Sequence, residues 1–141
     1  MTISITGGCL CGAVRFSFAE PPIATRACWC RDCQYLAAGN ATVNAIFRTE
    51  SFRLEGETAE YLSSADSGNR MRRRFCPRCG TALFSESLDR PDVMVVRVGA
   101  LDDREPGKPG GTIWTGSAPS WAPIDAEAPC WSGQPAPVPK D

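Results

Sequence analysis

Histidine is absent from all 141 residues of the chain. No imidazole can ligate a metal or move a proton near neutral pH, so any soft-metal site must be built from thiolate alone or completed by carboxylate, water or substrate. Long apolar runs are missing too. The best stretch, 93–101, is interrupted by Arg97 and Gly99 and reads as a strand, whereas a helical membrane span needs about 20 apolar residues. The first residues, Met-Thr-Ile-Ser-Ile-Thr-Gly-Gly, lack the basic start and apolar stretch of a secretory signal. The expectation is a cytoplasmic protein, not membrane-associated, whose thiols stay reduced. Neither sign of charge is in excess, with 15 basic residues against 16 acidic. A sequence pI near 5.5 gives no bulk electrostatic support for a nucleic-acid partner. Internal repeats and long linkers are also absent, and nothing in the sequence sets an oligomeric state.

An apolar content of 43% supports one globular domain with a core of its own. That domain is expected over 1–131, with 132–141 a frayed tail. Period-2 patterns dominate at 13–18, 41–47 and 93–98, and shorter ones recur at 51–54, 59–63 and 81–85. They predict strands, and their regular spacing predicts a mainly β fold of antiparallel sheets. One short helix is expected over 31–38. Eight of the 12 prolines lie from Glu105 onward, together with Trp114, Trp121 and Trp131. Three indoles are costly to leave in water, so 111–131 reads as an irregular strap across the β body rather than a disordered segment.

Seven of the eight cysteines fall into three groups: Cys9-Leu10-Cys11, Cys28-Trp29-Cys30-Arg31-Asp32-Cys33 and Cys76-Pro77-Arg78-Cys79-Gly80. A C-x-x-C turn aims two sulfurs at one tetrahedral ion, and the glycine after Cys79 permits the tight backbone of such a knuckle. Two thiolates do not close a zinc site. Cys9 and Cys11 share one face of an extended segment and are the natural partners of Cys76 and Cys79. Cys28, Cys30 and Cys33 can form a local tripod, and three protein ligands leave a position open, the general mark of a catalytic rather than a structural zinc. The other partition, with the middle cysteines spread over two metals, gives up that compact tripod. Thiolate-rich sites of either kind add negative charge to a chain already slightly acidic. Cys130, between Pro129 and Trp131, reads as a small, partly buried apolar residue; the sharper reading makes it a fourth ligand or a redox-sensitive thiol.

Together these residues resemble the glutathione-dependent formaldehyde-activating enzyme family, which also includes the domain of centromere protein V. The resemblance rests on Gly8-Cys9-Leu10-Cys11-Gly12-Ala13-Val14, on Cys28-x-Cys30-x-x-Cys33 and on Arg74-Phe75-Cys76-Pro77-x-Cys79-Gly80-Thr81. Ile113-Trp114 and Ser120-Trp121 extend it, so that it covers about 5–131. It implies antiparallel sheets clamped by zinc, a β-tent. It also implies a structural zinc at Cys9, Cys11, Cys76 and Cys79, a catalytic zinc at Cys28, Cys30 and Cys33, and the joining of glutathione and formaldehyde through a carbon–sulfur bond. Two positions depart from the family pattern. Trp29 and Thr112 stand where members commonly carry histidine. An indole beside the open position is expected to reshape the pocket and hence the choice of substrate.

A Zn²⁺ holding three thiolates is a poor Lewis acid, so hydrolysis is disfavoured relative to thiol chemistry. Soft, thiolate-rich zinc suits a substrate thiol bound as thiolate. The expected activity is that of a zinc-dependent carbon–sulfur lyase on a small thiol–aldehyde adduct, glutathione and formaldehyde being the pair the resemblance implies. Asp32 and Tyr35 are the nearest proton-transfer candidates, although Asp32 also fits a turn residue bonded to local amides. Arg70, Arg72, Arg73, Arg74 and Arg78 read as a solvated strand face, or else as binders of the carboxylates of a glutathione-like peptide. The alternative function is a non-catalytic zinc-binding or interaction module with redox-sensitive cysteines.

Overall fold

The computed structural model describes residues 4–138. Ten strands are present among them: β1 (Ile5–Gly8), β2 (Arg15–Phe18), β3 (Ala24–Cys28), β4 (Thr42–Arg48), β5 (Arg53–Glu55), β6 (Ala59–Ser64), β7 (Arg70–Phe75), β8 (Ala82–Ser87), β9 (Val93–Arg97) and β10 (Thr112–Ile113). One α-helix, α1 (Arg31–Leu36), follows β3. The strands form a three-stranded sheet in the order β1-β2-β5 and a seven-stranded sheet in the order β10-β3-β4-β9-β8-β7-β6. Every strand pair is antiparallel except β10 with β3. The mainly β class expected from the period-2 runs is what forms.

Alternation along β2 turns Phe16 and Phe18 inward, and they meet Phe47 of β4 and Phe84 of β8. The Phe18 and Phe47 rings stack with centroids 4.1 Å apart, and Phe16 meets Phe84 edge-on at 5.1 Å. These contacts, with Val14, Leu83, Met94 and Val96, make the core between the two sheets. Truncating one such ring to alanine costs about 3–5 kcal/mol in well-packed cores. Gly7 of β1 lies so close to the Ala100 carbonyl and the Phe16 ring that no Cβ fits there. The segment after β9 thereby reaches the small sheet, where the Asp102 amide donates to the Thr6 carbonyl at 2.9 Å.

The central strands of the larger sheet are buried on both faces, and the second face is polar. Cross-strand partners Phe84 and Val96 face the core, while their neighbours Ser85 and Val95 face the other way. Asn44, Arg73 and Arg97 lie on that second face and are buried. The strap differs from expectation in how it is held. It is anchored along a sheet edge, and from there Trp114 reaches over the polar face. The Ala27 and Trp29 amides donate to the Gly111 and Ile113 carbonyls at 2.9 and 3.0 Å, and Thr112 pairs in turn with Cys130. Backbone groups at a sheet edge need partners, and a short parallel strand supplies them. The tail expected to fray over 132–141 lies outside the described residues at 139–141; before that, the Ser132 and Gly133 carbonyls accept from the Gly116 and Trp114 amides.

Candidate metal centres and cavity

The structure brings the cysteines together in two groups, Cys9 with Cys11, Cys76 and Cys79, and Cys28 with Cys30 and Cys33. Within each group all sulfurs lie within 4.8 Å of one another. Each set of thiols fits a metal ion.

The four-cysteine group joins the turn after β1 to the turn between β7 and β8. Cys9 Sγ lies 3.6 Å from Cys11 Sγ, which lies 3.8 Å from Cys76 Sγ. Four sulfurs about 2.3 Å from a tetrahedral ion stand about 3.8 Å apart, so the spacing suits zinc. Backbone amides already point at the sulfurs: Val14 N at Cys9 Sγ (3.2 Å) and Arg78 N at Cys76 Sγ (3.3 Å). The Thr81 hydroxyl, with its backbone amide, holds the Cys79 thiol down at about 5, so that thiolate forms readily.

The three-cysteine group is built on one short stretch. Cys28 ends β3, Cys30 caps α1, and Cys33 lies in the first turn of that helix. The Cys33 amide donates to Cys30 Sγ at 3.3 Å, so the cysteine does the work of an N-cap oxygen. All three are buried. Hydrogen bonds from Cys28 and then Cys30 hold Cys33 at about 2, with the Arg97 charge in support, while Cys28 is pushed far up as the shared donor. The three thiols thus share hydrogen bonds, and the Arg97 charge favours the ionised form of Cys33.

These three cysteines open onto a cavity of about 450 Å³, within the range of small-molecule sites. The four-cysteine group does not line it. Asn44, Arg73, Arg97 and Trp114 are among its walls. Trp114 takes a left-handed backbone conformation, φ 59°, and its Nε1 donates to the Gln134 side chain at 3.0 Å. A bulky residue held there stores strain that only its surroundings can maintain.

Several expected residues fall elsewhere. Trp29 is buried but does not line the cavity; alternation at the end of β3 sends Cys28 and Cys30 one way and the indole the other, edge-on to Trp121 at 6.3 Å. The expected effect of that indole on the pocket is therefore corrected. Tyr35 is 78% exposed, under the Arg31 guanidinium, and Asp32 pairs with Arg73 at 3.3 Å outside the cavity lining. Cys130 is exposed and belongs to neither sulfur group, because its pairing with Thr112 leaves Sγ over the Asp125 and Ala128 carbonyls. Of the arginine run, Arg72 and Arg74 pair with Glu86 and Arg70 with Asp89, while Arg73 alone turns into the cavity beside Met71. Arg97 and Asn44 were not singled out from sequence. The signal was available in Arg97, a charge set in the otherwise apolar run of β9.

Among the described residues no helix is long and apolar enough to cross a membrane. A crystal structure of a Rhodobacter sphaeroides protein is similar in fold, with a TM-score of 0.54 and 24% identity over 69% of this chain and 87% of that one. A Halomonas elongata protein, named provisionally as a glutathione-dependent formaldehyde-activating enzyme, is 27% identical across 93% of this chain and 88% of its own. The family model described as "Glutathione-dependent formaldehyde-activating enzyme" matches residues 4–117. With that match spanning most of the chain and both cysteine groups assembled, the chain belongs to the glutathione-dependent formaldehyde-activating enzyme family.

Proposed function

We propose that the chain is a zinc-dependent carbon–sulfur lyase acting on a small thiol–aldehyde adduct of the glutathione–formaldehyde kind. In this reading Cys9, Cys11, Cys76 and Cys79 hold a structural ion, and Cys28, Cys30 and Cys33 hold the catalytic one. The observation that carries it is the asymmetry of the two groups: three buried cysteines line a cavity of about 450 Å³, and the complete set of four does not. A bound zinc would supply a soft position for a substrate thiolate.

The chain's own residues do the rest. The Cys33 amide and the Arg97 charge keep electron density on the sulfurs of the tripod. Trp114, fixed through Gln134, walls the cavity. In cleavage the carbon–sulfur bond breaks with its electron pair retained by sulfur, and the hydroxyl proton leaves as the carbonyl forms. Asp32 is tied to Arg73 and lies outside the cavity lining, so it is not the group that takes that proton. The easy reversal of thiol–aldehyde addition makes small demands on a base.

The test is turnover of preformed hemithioacetal by purified protein against Cys30→Ser. Serine remains a good N-cap for α1, so the fold is retained while a sulfur is removed. The expected result is a loss of turnover of at least 100-fold, in the range typical for removing one essential group. Equal rates would eliminate the lyase reading and favour an inert metal module.

A further inference from the structure

We infer that Arg97 and Arg73 form a carboxylate subsite inside the cavity, next to the three-cysteine group. Both side chains are nine-tenths buried and both line the cavity. A buried guanidinium normally meets a carboxylate, because an unpaired charge removed from water is costly. Arg97 has no such partner among the described residues. Its Nη1 donates to the neutral Asn44 side chain at 2.6 Å, and its Nε has no acceptor. The Arg73 Nε is likewise unsatisfied; its Nη1 donates to the Ser63 hydroxyl, and its one carboxylate contact, from Nη2 to Asp32, is a long 3.3 Å.

The electrostatics of the cavity point the same way. Arg26, Arg73, Arg90 and Arg97 line it against one carboxylate, Asp66. Arg90 is answered by Asp92, whereas Arg26, on the same face of β3 as Cys28, has no ion pair among the described residues. Arg97 and Arg73 are near enough to repel, while Arg97 is attracted to Cys33. An anion seated between the two guanidiniums relieves that repulsion, since the guanidinium fork matches a carboxylate in shape as well as charge. A role for Arg97 as counter-charge to the thiolates alone leaves the approach of a second guanidinium, Arg73, unexplained.

Only the carrier of the carboxylate depends on the lyase reading. It sits either on the aldehyde, as in an adduct of a 2-oxo acid, or on the thiol, as in a glutathione-like peptide. The first experiment needs no turnover. Metal-replete protein is titrated calorimetrically with acetate and with acetamide, its uncharged counterpart. Acetate is expected to bind at least tenfold more tightly, and Arg97→Gln and Arg73→Gln are each expected to abolish that preference, with Arg97→Lys restoring part of it. Equal affinity for the two probes in the unaltered protein, or a preference untouched in both glutamine variants, would overturn the subsite. Displacement of acetate is then measured with the glyoxylate adduct of 2-mercaptoethanol, with glutathione and with glutathione diester. Displacement by the first assigns the carboxylate to the aldehyde. Displacement by glutathione but not by the diester assigns it to the thiol, and displacement by none removes the subsite from substrate recognition. Acetate binding that persists in a protein without lyase turnover would sink the lyase proposal and leave the subsite standing.

Discussion

Gly80 follows Cys79 at φ 77°, and a Cβ built on it meets nothing within 4 Å. The cost of a side chain there is therefore purely conformational, about 1–2 kcal/mol for an L-residue in the left-handed region. Its amide donates to the Cys76 carbonyl at 2.8 Å, closing the turn that carries both sulfurs. Gly80→Ala is expected to lower stability by about 1–2 kcal/mol in urea denaturation, without change in the Cys28 cavity. A neutral effect would mean that the turn relaxes freely. This residue was legible from sequence because its role is local: a C-x-x-C turn needs such a position whatever surrounds it. Arg97 was not legible in the same way. Its meaning depends on which face of β9 is turned to a cavity, and that is settled by Asn44 on β4 and Arg73 on β7, both remote in sequence.

At the scale of elements, legibility followed the contrast between strand faces. β2 stood out by alternation and β9 by its apolar run, and α1 was found next to its cysteines. β1 and β3 did not. β1 carries Gly7 and Gly8, and β3 reads Ala-Thr-Arg-Ala-Cys because it borders a polar cavity instead of a core. β10 has two residues and exists only because β3 offers it an edge. The joint between the small sheet and the segment after β9 was equally hidden. There the Asp102 carboxylate accepts from Arg15 of β2 at 3.0 Å and from the Thr6 hydroxyl of β1 at 2.6 Å. Those contacts, Arg15 first, hold the Asp102 carboxyl at about 2, below its ordinary 3.8. Because the folded value is the lower one, the pair's contribution is fully present above pH 4 or so and is lost as pH falls toward about 2. Both side chains are nearly half exposed, so screening limits the effect to about 1 kcal/mol or less. Asp102→Asn is expected to be less stable than the unaltered protein at pH 7 by up to that amount, the difference shrinking as the pH is lowered from 4 toward 2 in urea titrations. A difference constant with pH would show that Asp102 acts through packing and not through its charge.

Across the whole molecule, the two sulfur groups differ in what they connect. The four-cysteine group bridges positions 65 residues apart, Cys11 and Cys76, and ties the small sheet to the far end of the larger one. The three-cysteine group closes only the junction of β3 and α1. A cross-link removes entropy from the unfolded chain in proportion to the logarithm of the loop it closes, about 4 kcal/mol for a loop of this length against about 2 kcal/mol for a few residues. On the proposed assignment of an ion to each group, breaking the first should cost the fold and breaking the second should cost chiefly the chemistry. Cys76→Ser removes a fully buried sulfur of the long-range group. It is expected to lose one equivalent of zinc, together with several kcal/mol of stability or cooperative unfolding altogether. Cys33→Ser is expected to lose the other equivalent while keeping its near-ultraviolet circular dichroism and most of its unfolding free energy. Metal content and thermal unfolding, measured side by side on the two variants, decide the point. If Cys33→Ser unfolds the chain and Cys76→Ser leaves it intact, the division into a fold-holding group and a reactive group is reversed, and the open cavity beside Cys28 must be explained as a feature of a structural site.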